Sequence, residues 1–220
     1  LYENGRINTQ PNIRVIREKH SVFTLDGDAG LGLVTAPRAM EMVLEKTTQY
    51  GSSYAAISNS NHFGIAAYHA MMALEKDFIG MAMTNASPLV APTFSKERML
   101  GTNPICYAVP AGEEEPFILD MATSAAANGK LEIAERKNKP LPQGWLEDKN
   151  GATTTNPADL KEGGYLLPLG SDIEHGSHKG YGLGAIVDIL SGVLSGANFG
   201  PWVPPFVAFL PVLPDLPRVI

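Results

Sequence analysis

A single cysteine, Cys106, among 220 residues leaves no partner for an intramolecular disulfide and removes any cysteine-rich metal site from consideration. The thiol lies in the apolar run "PICYAVP", which reads as a buried strand, so it is expected to be inert, and a reducing cytoplasm fits. Positive charge is also scarce: 17 Lys+Arg stand against 23 Asp+Glu, for a formal net charge of −6. The basic residues are scattered. Neither nucleic acid nor an anionic membrane surface is therefore expected as a partner. The longest apolar stretch with helical character, "GYGLGAIVDILSGVLSGANFG" from Gly180 to Gly200, is broken by Asp188 and by glycines. It falls short of the ~20 mainly apolar residues that a membrane span needs and reads as a buried core helix. No charged and apolar leader opens the chain, and "LYENGRIN" begins without methionine, so residues 1–220 are expected to be an incomplete chain. Internal repeats, heptads and low-complexity tracts are missing as well.

Two nucleotide-binding signatures are also lacking. The only glycine-rich candidate, "GDAGLG" from Gly27 to Gly32, spaces its glycines as G-x-x-G-x-G, the reverse of the dinucleotide fingerprint, and no G-x-x-x-x-G-K-[ST] occurs. A standard Rossmann or P-loop site is disfavoured, and the glycines read instead as a tight turn needing positive φ.

What is present suits a globular core: 44% hydrophobic and 18% charged residues, enough for one sizeable domain. "SVFTLDGDAGLG" reads as a strand entering a glycine turn. "APRAMEMVLEKTTQY" puts Ala36, Met40, Val43, Leu44, Thr47 and Tyr50 on one helical stripe, with Pro37 suited to its first turn. "SYAAIS", "FIGMAMT", "NPICYAVP" and "PFILDMA" read as further strands, and a helix is expected behind His62. Alternating strands and helices predict an α/β domain. The stretch from Asn138 to Tyr165, rich in Pro, Gly, Thr and Asn, reads as a long loop excursion with turns rather than core.

Several residues could carry chemistry, each with a plainer alternative. His62, at an element boundary in "SNSNHFG", could move a proton near neutral pH, or could finish a turn that Ser60 or Asn61 caps. His69 follows seven residues on, on the same face of the expected helix. Glu174, His175 and His178 in "EHGSHKG" offer an H-x-x-H pair without the third and fourth ligands of a zinc site, and no metal is expected. Lys179 opens an almost uncharged helix against its dipole, which an anionic ligand would rationalise; otherwise it extends to solvent. Asp120 ends a strand where open α/β sheets hold ligands, and could accept ribose hydroxyls or serve as a helix cap.

The segments "SNSNHFG", "TNASPLVAP", "LGTNPI", "ILDMATSAAANGK", "PQGW" and "GSHKGYGLGAIVDILSGVLSGANFG" resemble, in order and spacing, the malate/L-lactate dehydrogenase family, from about Tyr2 to about Phe206. That family also includes ureidoglycolate dehydrogenase, sulfolactate dehydrogenase and diketogulonate reductase. The resemblance implies a non-Rossmann NAD(P)-binding α/β fold with a mixed sheet flanked by helices, forming one catalytic and cofactor-binding region. It implies an oxidoreductase that uses NAD or NADP on a 2-hydroxy acid such as (S)-malate or L-lactate, in a cytoplasmic homodimer. By the same resemblance, His62 is the proton-transferring residue. Cofactor contacts fall on Thr84, Asn85 and Ala86, on Asp120, Met121 and Ala122, and on His178 and Lys179. Ala86 stands where the family carries a serine, and Ser87 lies next to it. The family's D-S-H-G segment, with a nearby arginine, would precede Leu1, and the tail "PFVAFLPVLPDLPRVI" departs from the family's glycine-rich return. Action on ureidoglycolate or a cyclic imine, or a truncated inactive homologue, stand as alternatives.

Overall fold

The computed structural model describes residues 5–205; Tyr2 and the tail from Phe206 onward lie outside the described residues. Strands β1 (Arg14–Lys19) and β2 (Val22–Gly30) form an antiparallel hairpin, and β3 (Tyr54–Ser60) adds to β2 in parallel. Helix α1 (Gly32–Tyr50) makes the crossover between β2 and β3. It packs on them through Phe23, Leu25 and Ala39, with Met42, Val43, Ala55 and Ile57 around them. Gly51, at φ 84°, ends α1 by returning its N–H to the Thr47 carbonyl at 2.8 Å.

The start of α1 departs from the apolar stripe. Pro37, expected in the first turn, lies well inside the helix, which begins at Gly32. The cause is tertiary: the Gly32 N–H is shared by the carbonyls of Asn61 and His62, each at 3.1 Å. The backbone is so near Phe63 that any Cβ on Gly32 would overlap it.

Helix α2 (Ala66–Met71) runs on as a 3₁₀ turn to Lys76. It covers a second sheet, the antiparallel β4 (Gly80–Met83), β5 (Ile105–Val109) and β6 (Phe117–Met121). Alanines 66, 70 and 108 and Cys106 form the contact. Because β4 and β6 both run against β5, they point the same way, and Met83 and Met121 both face Ile105. Their carboxyl ends therefore share one end of the sheet.

The 138–165 stretch proves to be more than loop. After α3 (Asn128–Arg136), it builds most of a third small sheet, β7 (Leu146–Glu147), β8 (Thr153–Thr154) and β9 (Tyr165–Leu166). Leu141, Leu146 and Leu160 bury themselves with Val90, Leu131 and Leu166. Widely spaced leucines among turn residues show no period, which is why composition alone reads the stretch as turns. The Arg98 guanidinium holds it down by donating to the carbonyls of Leu160 and Gly164.

Helix α4 (Ser177–Asp188) continues into a π-helical turn, Ile189–Val193. Expected as a buried core helix, it is buried on one side only. Gly180, Gly184 and Val187 face inward, whereas Ile186, Ile189, Val193 and Leu194 are 45–54% exposed. Glycine on the inner side lets the backbone come close, and the branched side chains are left on the outer face. Among the described residues the architecture is thus α/β with three small sheets, of which only β1–β2–β3 is mixed. No helix among the described residues is long and apolar enough to cross a membrane.

Candidate functional site

The shared end of β4 and β6 collects two of the segments singled out in the sequence: Thr84, Asn85 and Ala86 follow β4, Asp120 and Met121 close β6, and Ala122 comes next. Asn103, just before β5, ties them together. It is fully buried, at φ 36°, in a conformation that asparagine tolerates better than most residues. Its Oδ1 accepts the Ala86 N–H at 3.0 Å, and its Nδ2 donates to the Gly184 carbonyl of α4 at 2.9 Å. Its own carbonyl accepts the Thr123 hydroxyl at 3.1 Å. One amide thus joins the β4 end, the β6 end and α4.

A second buried polar group repeats the link. Asp188, at the end of α4, accepts the Asn85 Nδ2 at 3.0 Å and the Gly200 N–H at 2.9 Å. Asn85 also donates to the Asn198 carbonyl. Nothing in "TNASPLVAP" or "LGTNPI" reveals these partners, because they lie about 80 to 100 residues away along the chain. The Ser87 hydroxyl next to Ala86 donates to the Pro204 carbonyl at 3.2 Å.

Asp120 caps a helix, though not the one that follows it: its Oδ2 accepts the Ala67 N–H at 2.9 Å, at the start of α2. A carboxylate at that helix end is favoured by the unpaired N–H groups there. Its neighbour in register is Cys106, buried and free. Burial, with the Asp120 charge second, pushes that thiol up to about 11, so it stays protonated and unreactive at neutral pH.

The Asp120 contact brings the sheet end to the loop that carries His62. His62 is exposed and precedes α2 rather than lying on it, so it does not share a helix face with His69. Its Nδ1 accepts the Gly64 N–H at 2.9 Å. A neutral imidazole held so carries its proton on Nε2. His69 is 2% exposed; its Nε2 lies 2.7 Å from the Phe63 carbonyl, to which it donates, and its ring stacks on Phe63 with centroids 5.0 Å apart. The other nitrogen, Nδ1, is buried with no hydrogen-bond partner among the described residues. An unsatisfied buried group of this kind costs about 1–3 kcal/mol.

Helix α4 presents His178 and Lys179, both exposed, on its first turn. That turn is anchored near the β6 end: the Leu169 N–H donates to the Thr123 carbonyl at 3.0 Å, and Gly180 packs directly on Leu169. The Lys179 chain folds back toward Gly176, where a Cβ would lie 3.4 Å from its Cδ. His175 is engaged by Asp172, at 2.7 Å from Nδ1. Among the described residues no three His, Cys, Asp or Glu side chains gather as a metal site.

The His62 loop, the β4 and β6 ends and the first turn of α4 are thus linked through the Ala67–Asp120, Ala86–Asn103 and Leu169–Thr123 hydrogen bonds. A solved malate dehydrogenase from Entamoeba histolytica superposes with a TM-score of 0.88 at 39% identity, covering 91% of this chain and 57% of that one. Malate dehydrogenase of Pyrococcus horikoshii is 50% identical over 201 residues, 91% of this chain and 56% of the relative. L-sulfolactate dehydrogenase of Methanocaldococcus jannaschii is 42% identical over 196 residues, 89% of this chain and 54% of the relative. The chain spans little more than half the length of these relatives. Its residues 1–209 match the model of the malate/L-lactate dehydrogenase family, and the chain belongs to that family.

Proposed function

We propose that the protein is an NAD(P)-dependent dehydrogenase of small 2-hydroxy acids, with (S)-malate the leading substrate, built on a non-Rossmann cofactor site. The observation that carries this reading is the convergence of the β4 end, the β6 end and the His62 loop through the Ala86–Asn103 and Ala67–Asp120 hydrogen bonds.

The residues fit a dinucleotide. Lys179, exposed on a helix N-terminal turn, suits a phosphate, and Asp120 has a second carboxylate oxygen for a ribose hydroxyl. Thr84, Asn85, Ala86, Met121 and Ala122 line the sheet end between them, with His178 beside Lys179. A nicotinamide held there would supply the hydride chemistry at the substrate C2. His62 handles the proton: it takes the hydroxyl proton during oxidation and returns it to the keto oxygen during reduction. Release of a proton from Nε2 to an alkoxide requires a second proton, on Nδ1, since the imidazole must end neutral. The Gly64 N–H that now occupies Nδ1 therefore withdraws during the cycle.

In the full-length enzyme His62→Ala should lower hydride transfer by roughly 10²–10⁴-fold, with a smaller effect on cofactor affinity. A panel of 2-keto acids with NADH and NADPH, read by absorbance of the reduced cofactor, supplies the assay. Near-wild-type turnover in that variant would remove His62 from the mechanism.

A further inference from the structure

We infer that His69 is a positioning residue for His62, selecting the tautomer of its imidazole through the backbone between them. The inference rests on the reading of His62 as the proton-handling group. Three observations carry it. The His69 Nε2–H donates to the carbonyl of Phe63, the residue that joins His62 to Gly64. The His69 ring stacks on the Phe63 ring at an interplanar angle of 27°, so backbone and side chain of Phe63 are held by one partner. Phe63 also packs directly on Gly32, where a Cβ would not fit.

With Phe63 clamped, the next peptide is oriented, and its N–H, that of Gly64, is delivered to His62 Nδ1 at 2.9 Å. Gly64 sits at φ 80°, where other L residues are strained, so the peptide geometry depends on glycine and on the clamp together. An N–H directed at Nδ1 is compatible only with a lone pair there, and hence with the Nε2–H tautomer. His69 therefore decides which nitrogen of His62 carries its hydrogen before substrate arrives. Its own unpartnered Nδ1 agrees with this role. A phenylalanine would fill the same space without a buried lone pair, so it is the bond to Phe63 that gives a histidine its use at this position.

Long-range ¹H–¹⁵N correlation spectra of histidine rings in the full chain, recorded at alkaline pH, test this directly. Wild type should show His62 as the Nε2–H tautomer; an Nδ1–H tautomer would overturn the inference without any variant. His69→Phe, which keeps the ring and loses the donor, should give a mixture of tautomers at His62. His69→Gln, whose amide nitrogen can take the place of Nε2, should restore the wild-type form. The signals of His20, His175 and His178 report whether each variant is folded. If His69→Phe does not fold, His69→Asn, whose amide stops short of the Phe63 carbonyl, should give the same mixture. An unchanged His62 tautomer in a folded variant without the donor refutes the clamp. Absence of turnover in wild type would count against the dehydrogenase reading alone, since the tautomer is read without substrate.

Discussion

Lys179 and Asp26 show how differently two charged residues depend on their surroundings. Lys179 stands exposed on the first turn of α4, its chain laid back toward Gly176. If it meets a cofactor phosphate, Lys179→Met should weaken dinucleotide binding by about 1.5–3 kcal/mol. Titration by cofactor fluorescence measures this, and an unchanged dissociation constant returns Lys179 to solvent. Asp26 is held by the Asp28 N–H, the Asn59 amide and the Arg14 guanidinium, which lower its pKa to about 2. Its folded pKa lies below the unfolded one, so its contribution to stability is present above about pH 4 and is lost as pH falls toward 2. Asp26→Asn should flatten unfolding free energy against pH across that window, as denaturant titrations at stepped pH would show. The residues that stand out in the sequence are those with unusual neighbours along the chain, such as His62 in "SNHFG" and Lys179 in "HKG". Asn103 and Asp188 are just as central, yet their partners lie across the fold, and His69 meets Phe63 only because the chain turns between them. A buried Asn in "GTNP" has no local signature of the carbonyl it will meet.

Helix α4 offers a comparison between two glycines that the sequence treats alike. A Cβ at Gly180 would overlap the Leu169 carbonyl, whereas nothing lies within 4 Å of one at Gly182. Gly180→Ala should destabilise the protein by about 1–3 kcal/mol through overpacking, and should loosen the turn that presents Lys179. Gly182→Ala should be neutral or stabilise by up to about 1 kcal/mol through helix propensity. Chemical denaturation of the pair decides, and equal effects would contradict the described packing. Elements with a clear period were legible: β2 and β3, and α1 from its stripe. Boundaries set by tertiary contact were not. Helix α1 starts at Gly32 because the His62 loop binds its first N–H, whereas the helix expected behind His62 does begin there, at Ala66, although Asp120 caps it from a distant strand.

Across the whole molecule the alternation of strands and helices was enough to give an α/β fold. The partition into three small sheets was not visible, because antiparallel β4–β5–β6 and the short strands of the 138–165 stretch carry no mark of which sheet they join. The exposed row Ile186, Ile189, Val193 and Leu194 has a consequence at this scale. Contiguous apolar surface on a monomer favours association, in keeping with the homodimer expected from the family resemblance. The chain should show concentration-dependent mass in sedimentation velocity, and Ile189→Lys with Val193→Glu should reduce it. A monomer at every concentration would mean that this row stays in water.

The Asn103 amide also sets a timetable for biosynthesis. Sheet β1–β2–β3 and α1 close from neighbouring stretches of chain and can form while later residues are still being made. The Asn103 Nδ2 must wait for Gly184, 81 residues further on, about 4–16 s of synthesis at ordinary elongation rates of about 5–20 residues per second. Until then the peptides after β4 and before β5 are held by nothing from α4. A nascent chain arrested before Gly184 should be cut by protease near Ala86 and Asn103 while Phe23 and Leu25 are already protected, so the sheet end after β4 closes only once α4 has been made.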